Sequence, residues 1–438
     1  MTTEPGQAST ALLTDHYELT MLRGALHSGA AQRRSVFEVF ARYLPHGRRY
    51  AVVAGVGRLL QAVEAFRFDS DQLEFLRAAG IADELTLGFL ESYRFGGDIW
   101  GYAEGDCYFP GSPILVVEGT FAEAVILETL VLSILNHDCA VAAAGSRMVI
   151  AAGARPLIEM GSRRTHERAG VASARAAYIA GFASTSNLQA GYQYQIPTSG
   201  TSAHAFTLLY DDERHAFQAQ VDALGTGTTL LADTYDVATA VATAVEVAGP
   251  DLGAVRIDSG DLGVVASEVR AQLDSLGARK TRIVLTGDLD EHSIAALAAA
   301  PADGYGVGTS LVTGSGAPTA ALVYKLVARA DGPGPGPLRP VAKRSVGKPS
   351  RGGRKWATRE LDAAGIAVAE RVTDTPPEPG RGRPLLQLLV RDGKVVGGEP
   401  VDAARARHRA AMAELPSHAR QLSRGYPAIP TTFVPERD

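Results

Sequence analysis

Four short stretches of the chain carry residue types that could do chemistry. In IPTSGTSAHAF, Ile196 to Phe206, a single histidine, His204, follows Gly200, Thr201, Ser202 and Ala203. Small residues ahead of an imidazole let a bulky ligand approach closely, and the β-prone run AFTLLY after it is expected to extend as a strand and hold the loop rigid. No serine or cysteine stands beside it in the usual arrangement of an acyl-transfer nucleophile. An imidazole can instead attack phosphorus itself. In EMGSRRTHERAG, Arg163 and Arg164 sit beside Gly161 and Ser162 at an expected strand end. Adjacent guanidiniums repel, and a bound phosphate or carboxylate offsets the repulsion because each planar fork offers paired donors; a surface pair is the plainer reading. VRIDSGDLG places Arg256, Asp258 and Asp261 around Ser259 and Gly260. Two carboxylates on a tight turn can accept both hydroxyls of a ribose or hold a divalent metal, although a helix cap accounts for one of them. YGVGTS offers backbone N–H groups at Gly306, Gly308 and Thr309 near a helix start, a common cradle for phosphate.

The elements that must position these residues follow a rhythm. Between Thr228 and Val312 a short apolar strand ending in Asp, Gly or Thr is followed by a helical segment, as in TTLLADTYD, AVRIDSGD, TRIVLTGDLD and DGYGVGTS. Such spacing suits βα units of a parallel sheet. Every polar cluster lies at the carboxyl end of its strand, where a βα barrel gathers its active site. No strand is followed by G-x-G-x-x-G, which leaves a dinucleotide-binding fold without support, and no lysine stands at these strand ends for Schiff-base chemistry.

Ahead of this region, GVGRLLQAVEAF and SDQLEFLRAAG read as helices, RRYAVVAG and the stretch around Pro110–Pro113 as strands, and Phe121 to about Asn136 as a long apolar helix. Beyond it, ADGPGPGPLRP (Ala330 to Pro340) reads as a linker or surface loop. The following AKRSVGKPSRGGRKW reads as a solvated basic loop, and the tail from Asp402 as an amphipathic helix packing on the barrel. We therefore expect an α+β domain over 1–145, an α/β barrel over 146–330, and an extension over 331–438 that packs back on both.

The 438 residues are 46% hydrophobic and 21% charged, which suits a folded globular protein, and the net charge of -5 argues against a nucleic-acid partner. Two cysteines, Cys107 and Cys139, are too few for a disulfide framework or a zinc site and fit a reducing compartment. No basic stretch with a following apolar one opens the chain, and no run of about 18 uninterrupted apolar residues occurs, so neither a membrane partner nor any location but the cytoplasm is expected.

TDHYELTM, FRF, LETLVLSILNH, GSRRTHE, GFASTSN, GTSAHAF, RIDSGDL, GDLDE and YGVGTSLVT occur in this order between residues 11 and 327. In these stretches the chain resembles the nicotinate phosphoribosyltransferase family. The resemblance implies a type II phosphoribosyltransferase fold, an irregular α/β barrel with an α+β N-terminal domain. It also implies a ligase-type, ATP-hydrolysing reaction of NAD salvage, in which nicotinate and phosphoribosyl pyrophosphate give nicotinate mononucleotide, with Mg2+, ATP as co-substrate and a phosphohistidine at His204. By position it implies that Arg256 and Asp258 orient nicotinate and ribose, and that Arg163 contacts a phosphate or the pyridine. Gly287, Asp288, Gly308 and Thr309 would hold ribose and 5'-phosphate. Ser202 lies in the histidine motif. Thr185 and Ser186 stand where nicotinamide-using relatives carry an aspartate, so Ser186 suits an acid substrate. Tyr17 would stack on the pyridine of a partner subunit in a homodimer with shared active sites. Ser184 and Met160 depart from the usual Gly and aromatic residue of those positions, and use of nicotinamide or another pyridine remains the alternative activity.

Overall fold

The computed structural model describes residues 9–434 except 335, 344, 346–349 and 379; part of the expected basic loop therefore lies outside the described residues. The chain divides into two compact units, one made of residues up to 140 and from 319 onward, the other of Val141–Pro318.

The first unit is built on a seven-stranded antiparallel sheet in the order 339–340, 322–333, 33–41, 115–120, 98–102, 386–391, 394–395. Its strands come from both ends of the sequence, so residues 331–438 form no separate extension but complete the N-terminal domain. The stretch read as a linker is largely sheet: Leu322–Pro333 pairs with Arg33–Ala41, and the chain returns so that Ala328 faces Pro340, the Gly/Pro-rich segment supplying the reversal between them. A second sheet joins Trp356–Leu361 and Ala367–Thr373 to Arg383–Pro384 and Thr431–Val434. Its fully buried Arg359 pairs with fully buried Glu370 at 2.6 Å and also donates to the Cys107 carbonyl at 2.7 Å.

The C-terminal helix, Val401–Glu414, buries Val401, Ala404, His408 and Ala411. It lies on the Glu104–Cys107 segment of its own unit, where Arg407 donates to the Glu104 carbonyl at 2.8 Å. A Cβ on Gly105 would come within 2.1 Å of the Ala404 carbonyl oxygen, so the close approach requires glycine there.

Helix Phe121–Val125 continues, after a break, as Glu128–Ala152, well beyond Asn136. By length and composition this stretch could cross a membrane, yet 67% of its most apolar window is buried inside the protein, as in a core helix.

The second unit is a parallel six-stranded sheet in the order 184–185, 157–159, 304–307, 282–285, 254–257, 229–231. The four strands expected from the βα rhythm are all present, and the curled sheet is an open half-barrel whose end strands do not pair with each other. Helices cross between strands, and several begin at aspartates whose side chains accept a backbone N–H: Asp212, Asp236, Asp261 and Asp290. Helix Val237–Ala248 shows the pattern, burying Ala240, Val241, Ala244, Val245 and Ala248 on one face. These caps fix where each chain segment leaves its strand, and hence where the loops at the carboxyl ends begin.

Burial of His408 lowers its pKa to about 4, against a hydrogen bond to the Gly105 carbonyl that raises it. Because the unfolded chain binds this proton more readily, the imidazole contributes stability that is present above its unfolded pKa and is lost as pH falls from about 6.5 towards 4. Unfolding free energy is expected to drop by about 2–3 kcal/mol from this group across that window. Denaturant titrations at pH 7 and 4.5 on the native chain and on His408→Gln check it, the variant showing a smaller pH difference.

Candidate active site

Six strand ends deliver polar side chains to one edge of the second unit. At the centre, Arg256 leaves strand Ala254–Ile257 with its side chain mostly buried. Its Nε donates to Thr286 Oγ1 at 3.0 Å and its Nη1 to Thr201 Oγ1 at 2.9 Å and the Ser202 carbonyl at 3.3 Å, while Nη2 lies 3.4 Å from Asp258 Oδ2. Thr286 in turn donates to Asp258 Oδ1 at 2.6 Å. One guanidinium thus joins the histidine loop, the Asp258 turn and the end of the neighbouring strand. Three of the residues that meet here, Arg256, Asp258 and Ser202, are among those the sequence singles out; Thr286 is not, although it stands at the end of TRIVLT.

The carboxylate of Asp233, side chain 1% exposed, accepts from the Asp258 backbone N–H at 2.9 Å and from Ser259 Oγ at 2.7 Å. Its other oxygen, Oδ1, lies 3.7 Å from His204 Nε2, an ion-pair distance longer than a hydrogen bond. Neither that oxygen nor His204 Nδ1 has a hydrogen-bond partner among the described residues, and both atoms are buried. Burial, followed by the charges of Asp236 and Asp233, raises the pKa of Glu213 on the same side. Asp233 is thus a site residue that the motif reading passed over. Its signal was position alone, as the polar residue ending TTLLAD.

The imidazole itself does not precede a strand. His204–Thr207 is a short helical turn, and Phe206 packs edge-on against Tyr210 at 5.3 Å, a four-residue spacing that only a helical path brings together. The β-prone composition of AFTLLY is overridden because Leu208 and Leu209 point to solvent rather than into a sheet.

A cavity of about 420 Å3 lies beside this network, lined in part by Met160, Arg163, Ser186, Gly200, Ser202 and Arg256. Arg163 and Arg164 are exposed and carry no ion pair among the described residues, which leaves their charge free for an anion. Ser186 is exposed, whereas Thr185 is buried and donates to Glu159. Met160 also closes on Gly306, where a Cβ would meet its sulfur at 2.7 Å.

Gly287 and Asp288 form the turn after strand Arg282–Leu285 and are both exposed; their φ values are +111° and +44°. A Cβ on Gly287 would sit 2.6 Å from the Asp258 carbonyl oxygen. Gly308 and exposed Thr309 open the short helix Thr309–Val312. Asp261, by contrast, accepts from the Val264 N–H as a helix cap, so Asp258 alone of the pair turns to the Arg256 network. Tyr17 belongs to the first unit, on helix His16–His27, with 44% of its surface exposed; partial burial and then the charge of Glu128 push its pKa up to about 12.

The half-barrel with its companion unit is the fold of the crystal structure of human nicotinic acid phosphoribosyltransferase, which superposes with a TM-score of 0.82 over 96% of this chain and 97% of that one at 24% identity. The nicotinate-nucleotide pyrophosphorylase of Pyrococcus furiosus gives a TM-score of 0.76, covering 97% of this chain and all of that one at 22% identity. Residues 12–136 match the nicotinate phosphoribosyltransferase N-terminal domain. In sequence, nicotinate phosphoribosyltransferase pncB1 of Mycobacterium tuberculosis is 58% identical, with 98% of this chain and 96% of that protein covered. The pncB2 protein of the same organism is 39% identical, over 94% and 89%. The chain belongs to the nicotinate phosphoribosyltransferase family.

Gly287→Ala puts a side chain at a left-handed φ and against the Asp258 carbonyl, and is expected to lower unfolding free energy by about 2 kcal/mol. Gly200→Ala, with nothing within 4 Å of its Cβ, is expected to change it by less than about 0.5 kcal/mol. Urea denaturation of both variants checks the contrast.

Proposed function

We propose that the enzyme joins nicotinate to phosphoribosyl pyrophosphate, giving nicotinate mononucleotide and pyrophosphate, with ATP hydrolysis coupled through a phosphohistidine at His204. The observation that carries this reading is the single guanidinium of Arg256, which touches both the His204 loop and the Asp258 turn. A change of charge on the imidazole therefore has a direct route to the groups that would hold the sugar. The family membership and the cavity between Arg163, Ser186 and Arg256 support the choice of substrate.

In this reading the pyridine acid lies in the cavity with its carboxylate towards Arg163 and Ser186, and Arg256 orients the ring. Ser186 accepts an acid where an aspartate would repel it. Asp258 accepts a ribose hydroxyl, while the turns at Gly287–Asp288 and Gly308–Thr309 leave space and N–H groups for ribose and the 5'-phosphate. The pyridine nitrogen already carries its lone pair, so no general base is needed. Attack on the anomeric carbon breaks its bond to pyrophosphate through an oxocarbenium-like state that fixed neighbouring charges stabilise.

Among the described residues no three His, Cys, Asp or Glu converge as a ready metal cage. The exposed Asp288 and the partly exposed Asp258 fit a magnesium ion delivered with the diphosphate, since that ion commonly takes one or two carboxylates and completes its shell with phosphate and water. Bound there, it would neutralise charge on the leaving pyrophosphate. Asp233, 3.7 Å from His204 Nε2, would orient the ring for phosphoryl transfer. Tyr17 is proposed to reach the pyridine of a second subunit in a homodimer, and the enzyme to act in the cytoplasm.

His204→Ala is expected to lose ATPase activity and the stimulation by ATP while keeping slow basal transfer; turnover with and without ATP measures this, and unaltered ATP dependence would remove the assigned role. Arg256→Ala is expected to weaken nicotinate binding by about 1.5–3 kcal/mol, the scale of a charge-assisted contact. Isothermal titration with nicotinate tests it, and an unchanged affinity would place Arg256 outside the binding site.

A further inference from the structure

Strand Leu157–Glu159 runs between Ser184–Thr185 and Gly304–Val307, and it ends in a carboxylate that is completely buried. An apolar side chain would be the cheaper occupant of such a position, because an ionised carboxylate surrenders its hydration on burial. Glu159 has no cationic partner among the described residues. Its oxygens are instead each taken by one donor of the adjoining loops: Oε1 accepts from the Gly161 N–H and Oε2 from Thr185 Oγ1, both at 2.5 Å. Its backbone carbonyl accepts from the Ser186 N–H at 2.8 Å.

These contacts lie directly beneath two walls of the cavity. Gly161 begins the turn that carries Ser162 and Arg163, and the Arg164 N–H donates back to its carbonyl. Thr185 precedes Ser186 and accepts from the Asn187 N–H at 2.9 Å, while Asn187 Nδ2 reaches Ser162 Oγ at 3.0 Å. Thr185 also exchanges backbone hydrogen bonds with Pro197 and Ser199, which brings in the loop leading to His204. The turn has no slack, since a Cβ on Gly161 would fall 2.9 Å from Glu159 Oε1 and 2.2 Å from Val312.

We infer that Glu159 is a positioning residue for substrate specificity: its two-oxygen clamp sets the separation of Arg163 from Ser186, and so selects a pyridine bearing a carboxylate over one bearing an amide. The inference deepens the nicotinate reading above and rests on it. Glu159 does not line the cavity, so its effect passes through the two loops. Burial raises its pKa and the two hydrogen bonds lower it, with no charged side chain contributing. The clamp needs two acceptors; a side-chain amide supplies one, and turns a donor towards the other loop.

Steady-state kinetics of the full chain with nicotinate, nicotinamide and phosphoribosyl pyrophosphate test this. Glu159→Gln is expected to raise the KM for nicotinate by at least about tenfold and to narrow the preference for nicotinate over nicotinamide. The KM for phosphoribosyl pyrophosphate should stay within about twofold, because the groups proposed for it hang on other strands. If Glu159→Gln does not fold, Thr185→Val, which removes one donor of the clamp at nearly constant volume, must show the same split. An unchanged nicotinate KM, or equal changes for both substrates, overturns the inference. A wild-type chain that turns nicotinate over while the variants keep its KM removes the clamp alone; a wild-type chain that does not removes the proposed function and the clamp with it.

Discussion

The guanidinium of Arg256 is shared by three chain segments, and that sharing organises the candidate site. A planar fork can satisfy Thr286 from one nitrogen, Thr201 and the Ser202 carbonyl from the second, and lie against Asp258 with the third. A lysine ammonium could reach one or two of these partners but could not hold all of them in one plane. The loop that carries His204 is therefore fastened to a strand rather than left on the surface, although only a four-residue helical turn follows it.

Charged groups do different work in the two units. In the first, Glu38 and Lys355 form a buried ion pair at 2.8 Å, Lys355 also donates to the Arg351 and Gly353 carbonyls, and Arg359 with Glu370 closes the second sheet. Burial is the larger influence on Glu38, and it raises that carboxyl to about 7 against the opposing pull of Lys355. These charges are buried within the first unit and neutralise each other there. At the strand ends of the second unit, the exposed Arg163 and Arg164 have no such partners among the described residues, and Asp233 keeps one oxygen without a hydrogen bond among them, opposite an imidazole. Polar capacity left unmet at this edge is what a charged substrate would satisfy.

Much of this was legible in the chain itself. Short apolar strands alternate with amphipathic helices over residues 229–312, and local propensity agrees with the tertiary result there, because parallel strands buried on both faces need continuous apolar runs. The stretches VRIDSGDLG and YGVGTS marked Arg256, Asp258 and Gly308 by their residue types, whereas Gly287 followed from the family resemblance. The Ala330–Pro340 segment misled because Gly and Pro mark the reversal of a hairpin as readily as a linker, and only its pairing with Arg33–Ala41 tells the two apart.

What the sequence by itself determined is the set of periodic elements, the turns and the residue types at the strand ends, since these depend on neighbours a few positions away. The tertiary structure alone decided which unit the last hundred residues join, that Asp261 caps a helix while Asp258 faces the arginine, and that Asp233 and Glu159 stand behind the site. The places of Asp233 and Glu159 depend on hydrogen bonds between residues 25 or more apart in the chain, Asp258 to Asp233 and Thr185 to Glu159. The physical reason is that a buried carboxylate is recognised by the donors that surround it, and no local pattern names donors that arrive from another strand.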